Sequence, residues 1–501
     1  VAQLAQERAP ARRVFDLPEQ ETELQSREEG MSYEQKWRGM LDSVQQRSAG
    51  GTDAYAEFLA KKSVQHAATG IADPPPLNPR LKPHQQHCTR WALQRGRAAL
   101  FKGCGMGKTW DGLDWARVVA RFTKRPVLVL TPLAVAGQWV REAEKLLAPG
   151  HECIPEHIRD WSGDVPQDDC SHIYVCNYER LGKLSGLVPE LGGIVLDESS
   201  ILKNSTGKTR NQLIDTFKDT PFKLCLTATP SPNDPAELGS HAEFLGVMRH
   251  VDMLQRFFEH DSANTGDWLL KGHARKAFWR WCATWAMCLN KPSDLGFSDE
   301  GYDLPPLVLH EHVVDVDQKM ANKAGLLFAY EAVSLSEQRD VKRASMLERV
   351  AKAAEIVNAD REQWIVWASL NNESKALAKA IDGAIEVTGS MTLEAKESAI
   401  ESFLSGAARV LVTKKEIAAW GLNAQCCARQ LDVGVDHSFE AQFQAIRRSF
   451  RFGQTRAVHF HQICTSADGR VTWNLGRKRD EFERMHQEMA SVLREGRDVR
   501  N

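Results

Sequence analysis

The sequence predicts an α/β protein of two doubly wound parallel-sheet domains, with a helical insertion between them and a helical N-terminal extension. Three observations predict it. Short apolar runs of strand length alternate with helix-patterned stretches from residue 81 onward, and a second such series begins at 364. Between the two series, 239–300 breaks the alternation and is aromatic and helical in pattern. Finally, FKGCGMGKTW at 101–110 is a glycine-rich turn between a strand pattern and a helix pattern, where backbone N–H groups and a helix N-terminus can surround phosphates.

Residues 1–30 are charged and polar without periodicity and read as a flexible extension. Residues 31–70 read as helical, with Trp37, Met40, Leu41 and Val44 at helix-compatible spacing and Tyr55, Phe58 and Leu59 repeating the pattern. The proline-rich IADPPPLNPR at 71–80 ends that pattern, so 1–78 is assigned to the extension. In the first domain, 79–238, AALF (98–101), VLVLT (127–131), HIYVCNY (172–178), GIVLDE (193–198) and FKLCLTAT (222–229) read as buried parallel strands, with helices such as 111–122 between them. The insertion, 239–310, carries Trp268, Trp279, Trp281 and Trp285 and closes on Asp303-Leu304-Pro305-Pro306. The second domain, 311–501, has WIVWASL (364–370), VLVT (410–413), QLDVGVD (430–436) and VHFHQIC (458–464) as strands, and 472 to about 494 as one charged helix.

Composition bounds the function. The 501 residues are 42% hydrophobic, enough for several domains with their own cores. No apolar run has membrane-spanning length and the N-terminus lacks a signal-peptide core, so a cytoplasmic protein without a membrane partner is expected. The 11 cysteines form no CxxC pair and read as reduced thiols. His151, Cys153 and His157 are close in sequence, but no second half of a zinc site accompanies them. With a net charge of −2 there is no global basic field, so any nucleic-acid contact must come from a local groove.

The chemistry concentrates in three segments. In the loop, Gly103, Gly105 and Gly107 leave room for phosphates, Lys108 would reach the β- and γ-phosphates, and the Thr109 hydroxyl would hold Mg2+. The strict phosphate-loop pattern has glycine where this chain has Lys102. Asp197-Glu198 ends an apolar strand, where an aspartate can hold Mg2+ and a glutamate can deprotonate an attacking water. Far along the chain, QAIRRSFRFGQ (444–454) sets Arg448 and Arg451 three apart, close to one helical turn, on one face. A distant arginine pair implies an ATP site closed by a second domain.

The order and content of these segments resemble the superfamily 2 helicases, specifically the Swi/Snf-type ATPases and their phage-encoded relatives. The resemblance runs from about 81 to 465. LKPHQ (81–85) looks like the family's adenine-recognition segment, with Gln85 as its glutamine, and TPLAVAGQW (131–139) and CNYERL (176–181) look like nucleic-acid-facing motifs. DESSILKN (197–204) matches the extended acidic box, with Ser199-Ser200 where many relatives have Ala-His, and LTATPSPNDPAEL (226–238) matches the motif linking hydrolysis to strand contacts. Thr413-Lys414 and GLN (421–423) match the fifth motif, and QAIRRSFRFGQ the sixth, with Arg447 in place of the usual glycine.

The resemblance implies two RecA-like domains hydrolysing ATP, with Mg2+, to move along DNA, duplex rather than single-stranded. It implies that Arg448 and Arg451 act on the transferring phosphoryl group and that Gln444 lines the same cleft. It implies further that Thr131, Gln138, Tyr178, Thr413 and Asn423 lie near the nucleic-acid backbone, as polar groups suited to phosphate contacts. A strand-separating DNA or RNA helicase is the alternative within the class, and a non-catalytic nucleic-acid-binding scaffold the alternative outside it. A kinase fails to explain 410–454. No nuclease, methyltransferase or zinc-finger pattern is present, so targeting calls for a protein partner.

Three further features have two readings each. Lys271, His273, Arg275, Lys276 and Arg280 interleave with Phe278, Trp279 and Trp281, as a duplex-gripping lobe or as a packed subdomain with a solvated basic face, the second being favoured. Cys104 is a thiol switch or a filler, the filler being favoured. The last helix touches DNA or braces the second domain. Its Asp480, Glu481, Glu483 and Glu488 among the basic residues favour bracing.

Overall fold

The computed structural model describes residues 67–132, 135–147, 153–159, 172–260, 268–315, 342–417, 422–435, 438–465 and 468–498. The N-terminal extension, apart from residues 67–78, lies outside them, as do His151 and Gly421.

The first lobe runs α1 (Pro83–Arg95), β1 (Arg97–Lys102), α2 (Lys108–Thr123), β2 (Val127–Thr131), α3 (Ala136–Leu147), β3 (Glu156–His157), β4 (Ile173–Asn177), β5 (Gly193–Asp197), α4 (Lys208–Thr216) and β6 (Phe222–Thr227). It continues through α5 (Leu238–Phe244), α6 (His250–Phe257), β7 (Phe258–His260), β8 (Trp268–Leu270), α7 (Arg275–Cys282) and β9 (Ala286–Leu289). Seven strands form one parallel sheet in the order β3-β4-β2-β5-β6-β1-β9. Strands β2, β4, β5 and β6 are buried along their whole length, which is why they read as continuous apolar runs rather than alternating ones.

The insertion is therefore not purely helical. β9, inside 239–310, pairs with β1 and forms the edge of the first sheet, while β7 and β8 make a separate antiparallel pair. AMCL is too short to announce itself beside three tryptophans, and tertiary pairing decides it. Trp279, Trp281 and Trp285 are buried, as a packed subdomain requires.

The second lobe has β10 (Leu307–Val314), α8 (Met346–Asn358), β11 (Trp364–Ala368), α9 (Asn371–Ala380), β12 (Ala384–Val387), α10 (Leu393–Leu404), β13 (Val410–Lys414), β14 (Arg429–Val433), α11 (Phe439–Ile446), β15 (Val458–Thr465) and α12 (Gly469–Asp498). Its parallel sheet has the order β10-β15-β14-β11-β13-β12. Sequence reading did not foresee β10 and β12, the two edges, whose partial exposure breaks the apolar-run signal. The charged tail is a helix, and it does more than brace its own lobe. α12 packs on β9 and α7 of the first lobe, with Cys288 Sγ 3.0 Å from His486 Nδ1, Arg275 paired to Glu488 at 2.8 Å and Arg280 to Glu495 at 3.2 Å. Its Phe482 meets Phe439 and Phe443 of α11 at 5.5 and 5.2 Å between ring centroids.

Candidate active site between the lobes

The glycine-rich loop joins β1 to α2 at the carboxyl edge of the first sheet. Gly105 (φ 82°) and Gly107 (φ 74°) adopt left-handed backbone conformations open to glycine. A Cβ on Gly107 would come within 2.4 Å of Gln85 Nε2, which donates to the Gly107 carbonyl at 3.1 Å. Gln85 thus reaches the loop from α1, and its Oε1 accepts the Lys82 N–H at 3.1 Å. Lys108 Nζ donates to the carbonyls of Lys102 and Gly103 at 3.0 and 3.4 Å.

Lys102 does not disturb the loop. Its side chain turns away into the core and pairs with Asp111 of α2 at 2.5 Å, both groups being 0% exposed. Burial pushes the Asp111 carboxyl up to about 6 against the pull of Lys102. The departure from the strict motif is a buried ion pair that ties strand to helix beneath the loop.

Asp197 is the last residue of β5, and Glu198 follows it in the left-handed region (φ 51°, ψ 53°), one of two such non-glycine residues described. That conformation costs of order 1–3 kcal/mol and is met where surrounding structure enforces it. Three contacts fix Asp197: Trp139 Nε1 donates to Oδ2 at 2.7 Å, Thr131 Oγ1 to the same oxygen at 3.3 Å, and the Glu198 N–H to Oδ1 at 3.2 Å. Tyr178 Oη donates to the Asp197 carbonyl at 2.7 Å, and Thr227 Oγ1 to Glu198 Oε2 at 3.3 Å. Burial raises both carboxyls above their usual range. Lys108 works against this at both, and Asp197 raises Glu198 further.

A cavity of about 870 Å3 opens over these residues, and its opposite wall comes from the second lobe. Gln85, Gly105, Gly107, Lys108, Thr109, Gln138, Tyr178, Asp197 and Glu198 face Asn423, Gln444, Arg448 and Arg451. Gly103 lies behind the wall, bonded through its N–H to Leu289 at 2.9 Å. The two arginines do not stand on a helix, as their spacing suggested. α11 ends at Ile446 and the chain continues in hydrogen-bonded turns, with Arg448 N–H donating to Ala445 and Arg451 N–H to Ser449. Both still line the cavity. Burial lowers both guanidinium pKa values, and the Nε of each is buried with no hydrogen-bond partner among the described residues. Arg447, in the usual glycine position, lays its guanidinium over Phe443 and Phe450 at 5.1 and 4.9 Å.

The expected nucleic-acid set divides. Thr131 is wholly buried and supports Asp197, so its side chain has no surface to offer a nucleic acid. Thr413, also buried, donates to the Val387 carbonyl at 3.0 Å and holds β13 to β12, and Tyr178 is committed to Asp197. The hydroxyls of Thr131 and Thr413 are thus spent inside the protein, because a polar residue ending a strand can cap its neighbour as readily as face solvent. Gln138, Tyr178 and Asn423 line the cleft.

Sequence reasoning missed Glu440 of α11. It pairs with Lys203 and accepts a hydrogen bond from Thr229 Oγ1 at 3.1 Å, both on the first lobe. The signal was there: Glu440 lies four residues before Gln444 on one helix, so the two share a face. Also missed was a shelf at the cavity rim, where Tyr302 stacks on Phe452 (centroids 5.1 Å apart) and Lys82 Nζ lies 4.3 and 4.7 Å from the two rings.

Fold and cleft together define a class: two α/β lobes with parallel sheets that line one cleft with a glycine-rich loop, two carboxylates and two arginines. Residues 84–274 match the SNF2-related domain. The chain is 28% identical over 171 residues to the SWI/SNF-related matrix-associated actin-dependent regulator of chromatin subfamily A-like protein 1 homolog of Caenorhabditis elegans, covering 33% of this chain and 24% of that one. It is 22% identical over 447 residues to the protein YwqA of Bacillus subtilis (strain 168), covering 77% and 46%. Among solved structures it is similar to the Sulfolobus solfataricus SWI2/SNF2 ATPase core in complex with dsDNA, at a TM-score of 0.39 and 17% identity over 84% of this chain and 96% of that one. The chain spans about a quarter of the first relative's length and under half of the second's. Over residues 84–274 the chain is thus similar to the SNF2-related domain.

Proposed function

We propose that the chain is a DNA-dependent ATPase that translocates on duplex DNA, hydrolysing ATP in the cleft between its lobes. The observation that carries this reading is that Arg448 and Arg451 of the second lobe line the same cavity as the glycine-rich loop and Asp197-Glu198 of the first. The Nε of each is also buried without a hydrogen-bond partner among the described residues, a cost on the order of 1–3 kcal/mol each that turning onto a triphosphate would relieve. Lys108 and the loop amides would hold the phosphates, and the Tyr302–Phe452 shelf with Gln85 suits a flat base.

Mg2+ fits the residues present. Asp197 Oδ2 accepts two hydrogen bonds and Oδ1 one, so Oδ1 keeps a lone pair, and Thr109 faces the same cavity. Bound there, the ion would neutralise phosphate charge. Glu198, made more basic by its surroundings, would take the proton of the attacking water, and Arg448 and Arg451 would stabilise the charge of the transferring group, an effect worth ~10³–10⁵ in rate. Duplex preference, a targeting partner and a phage-like or prokaryotic cytoplasmic setting are supported by the motif resemblance alone.

The test is ATPase activity measured side by side with no nucleic acid, single-stranded DNA, duplex DNA and RNA, using Glu198→Gln as control. Duplex DNA should stimulate most, with binding weakened by salt through counterion release. The Glu198→Gln protein should bind ATP and turn over poorly. Stimulation by RNA alone would overturn the duplex assignment, and wild-type turnover in the glutamine variant would remove the base.

A further inference from the structure

A second chemical site lies away from the cleft, on the edge of the second sheet. β10 and β15 run parallel with His310 directly opposite His461, so four histidines (His310, His312, His459, His461) share one face of two adjacent strands. Their rings stack along the strands, with His310 and His461 centroids 4.2 Å apart. One nitrogen each from His310, His459 and His461 lies within 4.8 Å of the others, and His310 Nε2 is 2.9 Å from His459 Nδ1. The fourth histidine orients one of the three: His312 Nε2 is 3.0 Å from His461 Nδ1. The other nitrogen of that ring, His461 Nε2, is buried without a hydrogen-bond partner among the described residues.

We propose that His310, His459 and His461 bind one divalent transition cation of the zinc class, with His312 as the positioning residue. A ring held at Nδ1 with a free, buried Nε2 is the usual presentation of a metal-ligating imidazole. Three neutral imidazoles suit Zn2+, Ni2+ or Co2+ and offer nothing to Mg2+ or Ca2+, so this site is chemically distinct from the magnesium position in the cleft. Metal–nitrogen bonds of 2.0–2.1 Å place tetrahedral ligands about 3.3 Å apart, so the widest pair would close by roughly 1.5 Å, within reach of side-chain rotation. The proton of His461 stays on Nδ1, donated to His312, while the proton shared between His310 and His459 moves to the other nitrogen of its ring and that hydrogen bond gives way to two metal bonds. The site staples the edge strand β10 to β15. Because β10 is the first strand after the segment arriving from the first lobe, the metal would fix where that segment enters the second.

The full-length protein, stripped with chelator and re-equilibrated with equimolar zinc, is passed over gel filtration for elemental analysis, and its affinity is read by competition with a chromophoric chelator. We expect one zinc per chain. Affinity should fall at least tenfold in His310→Gln and in His461→Gln, and remain unchanged in His273→Gln, an exposed histidine of the first lobe. In chelator the His310→Gln protein should melt as wild type does, and zinc should raise the melting temperature of wild type only. Cobalt should give a spectrum without thiolate charge transfer. No zinc on the wild type, equal zinc on the variants, or a thiolate band pointing to the cysteines would each overturn the site.

Discussion

Restoring the glycine that the strict phosphate-loop motif calls for should damage this protein. Lys102→Gly removes one half of a fully buried ion pair and leaves Asp111 inside the first lobe with the Thr89 hydroxyl at 3.4 Å and the weaker pull of Lys108. Breaking a buried pair by deleting one partner costs about 3–5 kcal/mol. The proton-linked part of this is smaller: wild type already holds the carboxyl at about 6, so a variant that keeps it fully protonated at pH 7 loses about 1.4 kcal/mol more, and the rest of the cost is the lost buried contact itself. The sign with pH follows. The folded-state pKa of Asp111 lies above the unfolded value, so its contribution is full below about pH 4 and is lost as pH rises through about 6. Without Lys102 the folded pKa rises further, and the deficit of the variant should widen between about pH 5 and pH 8. Urea unfolding followed by tryptophan fluorescence gives the midpoints, with Lys102→Gly/Asp111→Asn recovering much of the loss. A glycine variant as stable as wild type at pH 7, or a double variant no better than the single, would refute the argument.

Two more outcomes test the cleft. Arg451→Ala should abolish hydrolysis while ATP affinity changes by a modest factor, and Arg451→Lys should rescue poorly because a point charge lacks the planar fork; full activity in either, by steady-state assay, sinks the finger. Glu440→Gln removes the charge that pairs with Lys203 but keeps an acceptor for Thr229, so DNA stimulation of ATPase activity should fall several-fold while basal turnover changes less; an equal loss of both would mark Glu440 as structural.

What was legible in the sequence was whatever repeats a local physical rule. Doubly buried strands announced themselves because both faces must be apolar, and β2, β5 and β11 fall where their runs predict. The loop was legible because only glycine takes the backbone of positions 105 and 107 without strain. Edge strands were not: partial exposure blurs the pattern of β10 and β12, and β9, though buried, is four residues beside a tryptophan-rich helix. Side-chain direction was the other blind spot. Nothing in TPLAVAGQW says that Thr131 and Trp139 turn inward to Asp197, and nothing in FKGCG says that Lys102 points away from the phosphates.

The two departures from the family pattern share a physical logic. Lys102 and Arg447 are both cations in glycine positions, one buried beneath the first wall of the cleft and one in the second wall, and each has a partner: a carboxylate for the lysine, two aromatic faces for the arginine. Lys102 therefore does not compete with Lys108, Arg448 or Arg451 for an anion in the cleft, whereas Arg447, which lines the cavity, adds to their positive charge from its place over the two rings. The partners differ in strength, and so should the consequences. A buried carboxylate fixes Lys102 rigidly to α2, whereas cation–π contacts worth about 0.5–2 kcal/mol leave Arg447 more easily displaced. Arg447 also belongs to the turn that presents Arg448, immediately after α11, whose Glu440 grips the first lobe. Any shift of α11 that loosens Glu440 from Lys203 and Thr229 must carry Arg448 with it, since fewer than three helical turns separate them. Lobe contact and arginine position are thus mechanically one variable, which is what coupling hydrolysis to movement requires.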